Sequence, residues 1–258
     1  MAAVFFDIDG TLWDRENRIP ESTVQAVRQL RRNGHLAFLC SGRTRAMIFG
    51  DNLFAVGFDG IVAGCGTYIE YRGERIFMKL LDPDLLERTL EILRRYGLPT
   101  LVEGPDGLWM DEGIRADAYG EYLMKSVGDR VYGLEDAGEI RGSKMSVVEE
   151  GRNYPAAMAS LENDYEILQH DGIVAELVPK GFSKATGIQR VCELLGIRHE
   201  DIYAVGDSVN DVDMLRFAEH GIAMGNGTPA AKEAAEYVTD DLWDDGIWRA
   251  MAHYGLIR

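Results

Sequence analysis

The sequence has little cysteine: three residues in 258, at positions 40, 65 and 192, and no two of them form a C-x-x-C pair. An odd number of widely spaced cysteines gives no disulfide framework and points to a reducing compartment. The five histidines are scattered and match no zinc-site spacing. The chain therefore offers no sequence support for a structural zinc or for stabilising disulfides.

Long apolar runs are also missing, because no window is apolar enough to span a bilayer and the N-terminus lacks the pattern of a secretory signal. We therefore expect a cytoplasmic protein. Basic residues are few: 27 Lys and Arg against 43 Asp and Glu give a net charge of −16. Such a chain repels nucleic acids and anionic membranes, so we expect neither as a partner. An anionic substrate would need a local metal ion or lysine.

What the chain does contain is an alternation of short apolar strands and helical segments, typical of a parallel sheet covered by helices on both faces. Apolar runs occupy 3–6, 36–40 and 60–63, and the same pattern resumes after residue 181, with strands at 202–205 and 221–224. Between them, helical and alternating stretches mix, such as 84–95, 144–148 and 173–177. We predict an α/β protein: a Rossmann-like parallel-sheet core (residues 1–80 and 181–258) with an inserted α+β cap domain (residues 81–180).

Polar side chains follow the ends of the predicted core strands or begin a predicted helix, where ligands collect in parallel α/β sheets. In chain order they are Asp7, Asp9, Ser41, Lys184, Asp207, Asn210 and Asp211. Paired acids after a buried strand bind a metal, pair with a cation or do chemistry. The carboxylates of Asp7 and Asp207 suit Mg²⁺. Ser41, before a predicted helix, and Lys184 can hold a phosphate oxygen.

Phosphoryl transfer is the chemistry that these groups favour. Asp7 can attack phosphorus to form an aspartyl phosphate, and Asp9 can protonate the leaving oxygen and later activate water. Two alternatives stay open: a phosphomutase, which returns the phosphoryl group to its substrate, and a non-enzymatic phospho-acceptor domain, like a response-regulator receiver. Asp9 and the long insertion count against the acceptor.

The chain resembles a known family in four motifs that occur in the family's order: Asp7-Ile8-Asp9-Gly10-Thr11, Ser41-Gly42-Arg43, Lys184, and Gly206-Asp207-Ser208-Val209-Asn210-Asp211. They resemble the motifs of the haloacid dehalogenase (HAD) superfamily. The insertion and the tail Gly221-Ile222-Ala223-Met224-Gly225-Asn226 resemble the Cof-type branch, which carries a type IIB cap. The resemblance implies a Mg²⁺-dependent phosphatase of small phosphorylated metabolites, with sugar phosphates as the expected class. It implies no particular oligomeric state.

The resemblance also implies roles for single residues. Asp7 would be the nucleophile and a metal ligand, and Asp9 the general acid/base, with its backbone carbonyl on the metal. Asp207 would be the second carboxylate ligand, and Asp211 would support the metal's water shell. The implied phosphate-binding residues are Thr11, Ser41, Gly42, Lys184 and Asn210.

Two positions depart from the family pattern, and two further charges have no assigned role. Cys65-Gly66 stands where many relatives carry Asn-Gly, and Ala185 follows the lysine where glycine is usual. Lys144 and Glu176 lie in predicted strands of the insertion. They could face the core domain, but we interpret them as ordinary exposed charges on a half-buried sheet.

Overall fold

The structure, a computed structural model, describes residues 1–135, 138–148, 153–169 and 174–258. The chain divides into two compact units. Unit 1 consists of Met1–Gly42, Gly50–Phe77 and Ser183–Arg258, and unit 2 consists of Arg43–Phe49 and Met78–Phe182. The short segment Arg43–Phe49 therefore belongs to unit 2 although both of its flanking segments belong to unit 1.

The described residues form strands and helices in alternation along most of the chain. The strands are β1 (Ala3–Phe6), β2 (Leu36–Cys40), β3 (Gly60–Ala63), β4 (Tyr68–Tyr71), β5 (Glu74–Met78), β6 (Thr100–Glu103), β7 (Leu108–Met110), β8 (Val131–Gly133), β9 (Lys144–Val148), β10 (Tyr165–Gln169), β11 (Val174–Pro179), β12 (Ile202–Gly206), β13 (His220–Ala223) and β14 (Tyr237–Val238). The helices are α1 (Glu21–Arg32), α2 (Asp51–Val56), α3 (Pro83–Tyr96), α4 (Glu112–Arg115), α5 (Ala118–Val127), α6 (Tyr154–Leu161), α7 (Lys184–Leu195), α8 (Val212–Phe217), α9 (Pro229–Ala234) and α10 (Gly246–His253).

Unit 1 is built on a sheet with the strand order β14-β13-β12-β1-β2-β3-β4-β5. The strands from β14 to β3 are parallel, and β4 pairs antiparallel with β3. Every residue of β1, β2 and β3 is buried, as expected for apolar strands covered on both faces. The chain order reverses at β1, which has β2 on one side and β12 on the other. This is the topological switch point at which ligands bind in such sheets.

The core of unit 1 joins its central strands to the helices. Phe5 of β1 and Phe38 of β2 stack with ring centroids 5.0 Å apart, and Ile188 and Val191 of α7 belong to the same apolar cluster. The predicted fold class, α/β with a Rossmann-like parallel-sheet core and an α+β insertion, is confirmed. None of the helices in the described ranges is long and apolar enough to cross a membrane.

Unit 2 combines a six-stranded sheet, in the order β10-β11-β9-β6-β7-β8, with helices. Neighbouring strands are antiparallel except β7 and β8, which are parallel. Helices α3 and α6 contribute Leu93 and Leu161 to a core shared with Met145 of the sheet. Ala46 and Met47 belong to a second apolar cluster with residues of β6, β7 and α5, which explains why Arg43–Phe49 groups with this unit.

Most predicted elements appear at or near their predicted bounds. The helix that we predicted directly after Ser41 is wrong: the chain forms only a 3₁₀ turn, Arg45–Met47, and α2 begins at Asp51. Packing of Ala46 and Met47 in unit 2 overrides the local helical pattern. The strand predicted at 173–177 starts at a residue outside the described ranges, and β11 is described from Val174.

Candidate active site

Asp7 and Asp207 follow the last residues of two neighbouring parallel strands. The register pairs Phe6 of β1 with Val205 of β12, and the Asp7 backbone N–H donates to the Val205 carbonyl over 2.9 Å. The next turn carries Gly10 at φ +81°, and a Cβ on Gly10 would lie 2.4 Å from Oδ2 of Asp207. Only glycine allows Asp207 to lie against this turn.

Thr11 orients Asp207 from the same turn. Its hydroxyl donates to Oδ1 of Asp207 over 3.0 Å, and Thr11 is fully buried. The structure thus places Thr11 beside a predicted metal ligand, and its role in phosphate binding stays a prediction.

Lys184 is the only ammonium that the described hydrogen bonds place among these carboxylates. It begins α7 directly after Ser183, whose hydroxyl accepts the Thr186 N–H at 3.3 Å and caps the helix. The Lys184 Nζ donates to Oδ1 of Asp7 over 2.7 Å and to Oδ1 of Asp211 over 2.5 Å. A longer bond of 3.3 Å reaches Oδ1 of Asn210.

Asp211 holds the loop after β12 in place. Its Oδ2 accepts the backbone N–H groups of Asp207 and Ser208, each over 2.9 Å, while Oδ1 accepts Lys184. Asp211 is fully buried, so these bonds satisfy a carboxylate that water does not reach.

One ammonium does not balance the three carboxylates of Asp7, Asp207 and Asp211. Burial, and then the nearby Asp211, raise the pKa of Asp7 well above its usual value. The same two causes raise the pKa of Asp207 to about 7. Burial lowers the pKa of Lys184, but Asp211 and Asp7 outweigh this effect and raise it above the usual value, so the lysine stays charged. With all three carboxylates ionised, the cluster would carry an excess of negative charge.

A divalent cation fits this cluster. Asp7, Asp207 and Asp211 each provide one carboxylate oxygen, and these three oxygens lie within 4.8 Å of one another. Oxygen ligands and an uncompensated negative charge are what Mg²⁺ requires.

Asp9 differs from the other acids because it is exposed. Its Oδ1 accepts the indole N–H of Trp13 over 2.9 Å. An exposed carboxyl two residues after Asp7 is accessible for proton exchange with a substrate or with water.

Ser41 and Gly42 follow β2, which is the other neighbour of β1. Both are buried, and the Ser41 N–H donates to the Val62 carbonyl over 2.9 Å. Because β1 and β2 are parallel and Phe6 pairs with Leu39, these residues lie at the same edge of the sheet as Asp7.

Comparison with known proteins assigns a family to this geometry. A family model described as haloacid dehalogenase-like hydrolase matches residues 4–251. The chain belongs to this family. The resemblance inferred from the four motifs is therefore confirmed.

Similar proteins are phosphatases. A 5-amino-6-(5-phospho-D-ribitylamino)uracil phosphatase of Bacillus subtilis is 28% identical over 268 residues, covering 97% of this chain and 96% of that protein. A phosphoglycolate phosphatase of Methanothrix thermoacetophila is 27% identical, with 97% and 96% covered. The solved structure of the HAD subclass IIB sugar phosphatase BT4131 matches with a TM-score of 0.86 and 28% identity, and all of both chains is covered. These relatives place the chain among the phosphoric monoester hydrolases of the HAD family.

Two residues outside the predicted site set hydrogen-bond to the backbone of the candidate site. Asn226 donates from Nδ2 to the Gly10 carbonyl over 2.8 Å and accepts the Leu242 N–H at 2.9 Å, so it ties the Asp9–Thr11 turn to the C-terminal region. Asp213 accepts the Ala185 N–H at 3.3 Å, at the first turn of α7. The pattern Gly225-Asn226-Gly227 was the available signal for Asn226, because a polar residue between glycines indicates a tight turn.

Lys144 and Glu176 of unit 2 are not ordinary exposed charges, so that interpretation is wrong for both. Lys144 is 1% exposed, and its Nζ lies 2.8 Å from Oε1 of Glu176 and 3.5 Å from Oε1 of Glu103. Ser146 donates to the same oxygen of Glu103 over 2.5 Å. Alternation along β9, β6 and β11 places these polar side chains on one face of the sheet.

A small cavity of about 160 Å³ in unit 2 is lined by this ion-pair cluster. Arg43, Tyr119 and Tyr122 complete the polar part of its wall. Burial raises the pKa of Glu103, and the ammonium of Lys144 partly offsets that rise. The cavity therefore contains charges of both signs together with hydroxyl groups.

Proposed function

We propose that this HAD-family chain is a Mg²⁺-dependent phosphatase that hydrolyses small phosphorylated metabolites through an aspartyl phosphate on Asp7. The observation that supports this most directly is the position of Asp7. It directly follows the central strand at the switch point, with a carboxylate oxygen 2.7 Å from the Lys184 ammonium, and it lies two residues before an exposed carboxyl. We keep a cytoplasmic location as a prediction.

The mechanism uses two carboxylates in different roles. A carboxylate oxygen of Asp7 forms a bond to phosphorus while the bond from phosphorus to the leaving oxygen breaks. Asp9 in its protonated form donates its proton to that oxygen, so the product leaves as an alcohol. Asp9, now ionised, takes a proton from the water that attacks phosphorus, which releases inorganic phosphate and restores Asp7.

The remaining residues bind and neutralise the phosphate. Lys184 supplies a positive charge beside Asp7. Ser41 and the N–H groups near Gly42 lie at the same sheet edge and would donate to phosphate oxygens. Mg²⁺, held by the carboxylates of Asp7 and Asp207 and the Asp9 carbonyl, with support from Asp211, would neutralise charge on the transferring group.

The nucleophile is tested by phosphate release from a panel of phosphorylated metabolites with Mg²⁺, comparing the wild type with Asp7→Asn. We expect release by the wild type and a loss of about a thousandfold or more in the variant, because the amide cannot attack phosphorus. Asp51→Asn, at an exposed acid of unit 1, is the matched control and should keep full activity. An active Asp7→Asn variant would refute the assignment. Phosphorylated Asp7 without phosphate release would leave the phosphomutase and the phospho-acceptor domain as alternatives, and return of the phosphoryl group to the substrate would indicate the phosphomutase.

The metal is tested by chelation and by thermal unfolding. EDTA should stop turnover and Mg²⁺ should restore it. Independently of activity, Mg²⁺ should raise the melting temperature of the wild type, because a ligand bound only to the folded state stabilises it. The rise should be much smaller in Asp207→Asn. Turnover that is indifferent to chelation would remove Mg²⁺ from the proposal.

For the substrate we propose phosphate esters of polyhydroxylated alcohols, above all sugar phosphates, with unit 2 acting as the cap that selects the leaving group. The solved relative BT4131 is a sugar phosphatase. The cavity of unit 2 combines carboxylates, an ammonium and tyrosine hydroxyls, which suit hydrogen bonds with sugar hydroxyls.

This substrate class is tested with Glu176→Gln. We expect KM for sugar phosphates to rise about tenfold, the effect of losing one charge-assisted hydrogen bond, with little change for p-nitrophenyl phosphate. Glu162→Gln, at an exposed acid of the same unit, should change neither. An equal rise of KM for both substrates would count against a role of the cavity in choosing sugars.

A further inference from the structure

A tryptophan that belongs to none of the four motifs contacts the residue proposed as the general acid. Trp13 lies four positions after Asp9, and its Nε1–H donates to Oδ1 of Asp9 over 2.9 Å. Trp13 is 1% exposed, whereas Asp9 is exposed. The bond therefore joins a buried ring to an accessible carboxyl.

The backbone fixes the position of that ring. The Gly10 N–H donates to the Trp13 carbonyl over 2.9 Å, and the Trp13 N–H donates to the Ile8 carbonyl over 3.2 Å. The segment from Ile8 to Trp13 is thus closed on itself directly after the nucleophile. The ring also packs beside Gly50, where a Cβ would lie 3.4 Å from its Cζ3. An indole held in this way has little rotational freedom.

We propose that Trp13 is a positioning residue for Asp9. Its N–H fixes Oδ1 and so fixes the direction of the other carboxyl oxygen, Oδ2, through which the proton passes. Oδ2 gives the proton to the leaving oxygen as the bond to phosphorus breaks, and later receives one from the attacking water. The indole gives up no proton in either step. This inference rests on the proposed phosphatase mechanism and on the role proposed there for Asp9.

Packing is the competing explanation, because a buried tryptophan contributes apolar area wherever it lies. The two explanations differ in the substrates they affect. A packing defect slows every substrate alike. Hydrolysis of the aspartyl phosphate is common to all substrates and follows departure of the leaving group, so it does not enter kcat/KM. In kcat/KM, a misdirected acid therefore slows only those esters whose leaving oxygen needs a proton, since p-nitrophenolate leaves without one.

The experiment measures kcat/KM, with saturating Mg²⁺, for a sugar phosphate and for p-nitrophenyl phosphate. The proteins are the wild type, Trp13→Phe, Asp9→Asn and the double variant. Phenylalanine keeps an aromatic ring and removes the N–H. We expect Trp13→Phe to lower kcat/KM for the sugar phosphate about tenfold, because a general acid contributes a hundredfold or more and only part of that is lost. For p-nitrophenyl phosphate, kcat/KM should fall less than about twofold. In the Asp9→Asn background the Trp13 substitution should cost nothing more.

Trp248→Phe is the matched control, because Trp248 is a half-buried tryptophan of the same unit, in α10. It should leave the ratio of the two kcat/KM values unchanged. An equal loss on both substrates in Trp13→Phe, or additive losses in the double variant, would overturn the positioning role.

A second measurement does not depend on the folding of Trp13→Phe. The chain has four tryptophans, so an amide-proton NMR spectrum shows four indole N–H signals. In Asp9→Ala we expect one of them, protected from exchange in the wild type, to shift and to exchange faster. No change in any indole signal would overturn the inference. A wild type inactive on every ester would refute the proposed function and this role with it, whereas an active wild type with a uniform Trp13→Phe loss refutes the positioning alone.

Discussion

At the scale of single residues, each acid of the candidate site has a different environment. Asp7 and Asp211 are buried and bound to Lys184, whereas Asp9 is exposed and bound to Trp13. Asp207 lies between these extremes, with a pKa raised to about 7 by burial and by Asp211. Neighbouring carboxyls with different environments are how a single site can supply both a nucleophile and a proton donor.

Thr11 provides a residue-scale prediction, because its hydroxyl hydrogen-bonds Oδ1 of Asp207. Thr11→Val keeps the shape and removes that bond, so Asp207 is less well oriented and holds its proton more tightly. We expect the Mg²⁺ concentration for half-maximal activity to rise about tenfold, as is usual when the support of a metal ligand is removed. KM for the substrate at saturating Mg²⁺ should stay nearly constant. A Mg²⁺ titration of activity measures both quantities.

The control for this substitution is Thr23→Val. Thr23 is fully buried in α1, and its hydroxyl has no hydrogen-bond partner among the described residues. The control should leave the Mg²⁺ dependence unchanged. A raised KM with unchanged Mg²⁺ dependence in Thr11→Val would instead favour the phosphate-binding role that the family resemblance implies.

How well the sequence predicted each site residue depends on how its position is determined. Asp7 and Asp207 could be placed because each directly follows an apolar strand, and parallel strands end at one edge. Trp13 and Asn226 were not among the predicted site residues. Their hydrogen bonds to Asp9 and Gly10 depend on loop conformations, for which the chain has no periodic pattern.

At the scale of elements, α7 lies unusually close to the turn after β3. A Cβ on Gly187 would lie 2.8 Å from the Cα of Gly66 and 2.5 Å from Cγ1 of Val62. Gly66 itself has φ +82°, and a Cβ there would lie 2.6 Å from the Ser183 carbonyl oxygen. Two facing glycines therefore determine how closely α7, whose first residue is Lys184, approaches the turn after β3.

Gly187→Ala should disturb that contact. Overpacking costs about 1–3 kcal/mol, and the better helix propensity of alanine returns about 1 kcal/mol, so the net loss in the free energy of unfolding lies between about 0 and 2 kcal/mol. We expect the upper half of that range, because the 2.8 Å contact is with a backbone atom, which yields less easily than a side chain. Because Lys184 moves with the helix, kcat/KM should also fall. Urea unfolding and steady-state kinetics measure the two effects. Gln189→Ala, exposed on the same helix, should affect neither. Full stability in Gly187→Ala would mean that the helix has room to shift.

The departures from the family pattern have a structural consequence here. Ala185, where a glycine was expected, lies at a helix start that accepts it, and the close approach is made by Gly187 instead. Gly66 could be predicted to need a turn conformation. Its pairing with Gly187 could not, because no local pattern specifies which helix crosses a turn.

The ammonium of Lys144 stabilises the sheet of unit 2, and the stability lost on its removal should depend on pH. Lys144→Met removes the ammonium between Glu103 and Glu176 and leaves a buried carboxylate without its cation, a change that costs about 3 kcal/mol. Burial already raises the pKa of Glu103, and the loss of Lys144 raises it further. A protein that contains an acid with a higher pKa in the folded state than in the unfolded state loses folding stability as pH rises. The gap in melting temperature between wild type and variant should therefore widen from about pH 4 to pH 7.

Lys125→Met, at an exposed lysine of α5, is the control and should show a small difference in melting temperature that does not depend on pH. A constant gap for Lys144→Met would mean that Glu103 stays ionised without its partner, contrary to the expected effect of burial.

At the scale of the whole molecule, the sequence was most informative about architecture. Continuous apolar strands alternating with helices allow few arrangements other than a covered parallel sheet, and that sheet is present. The membership of Arg43–Phe49 in unit 2 could not be predicted, because it depends on the packing of Ala46 and Met47 with strands far along the chain.

The net charge of −16 opposes the binding of the substrates that the site attracts. A sugar bisphosphate carries more negative charge than the corresponding monophosphate, so the field of the whole protein should disfavour it more. Salt screens this long-range repulsion, with a Debye length of about 10 Å at 0.1 M. We expect the ratio of kcat/KM for bisphosphate over monophosphate to rise about twofold between low and moderate salt, at saturating Mg²⁺. The two kcat values should change little, because the repulsion acts before the substrate is bound. A ratio that falls with salt would show that the local charge of the metal and Lys184 outweighs the overall field at the distance where substrates are captured.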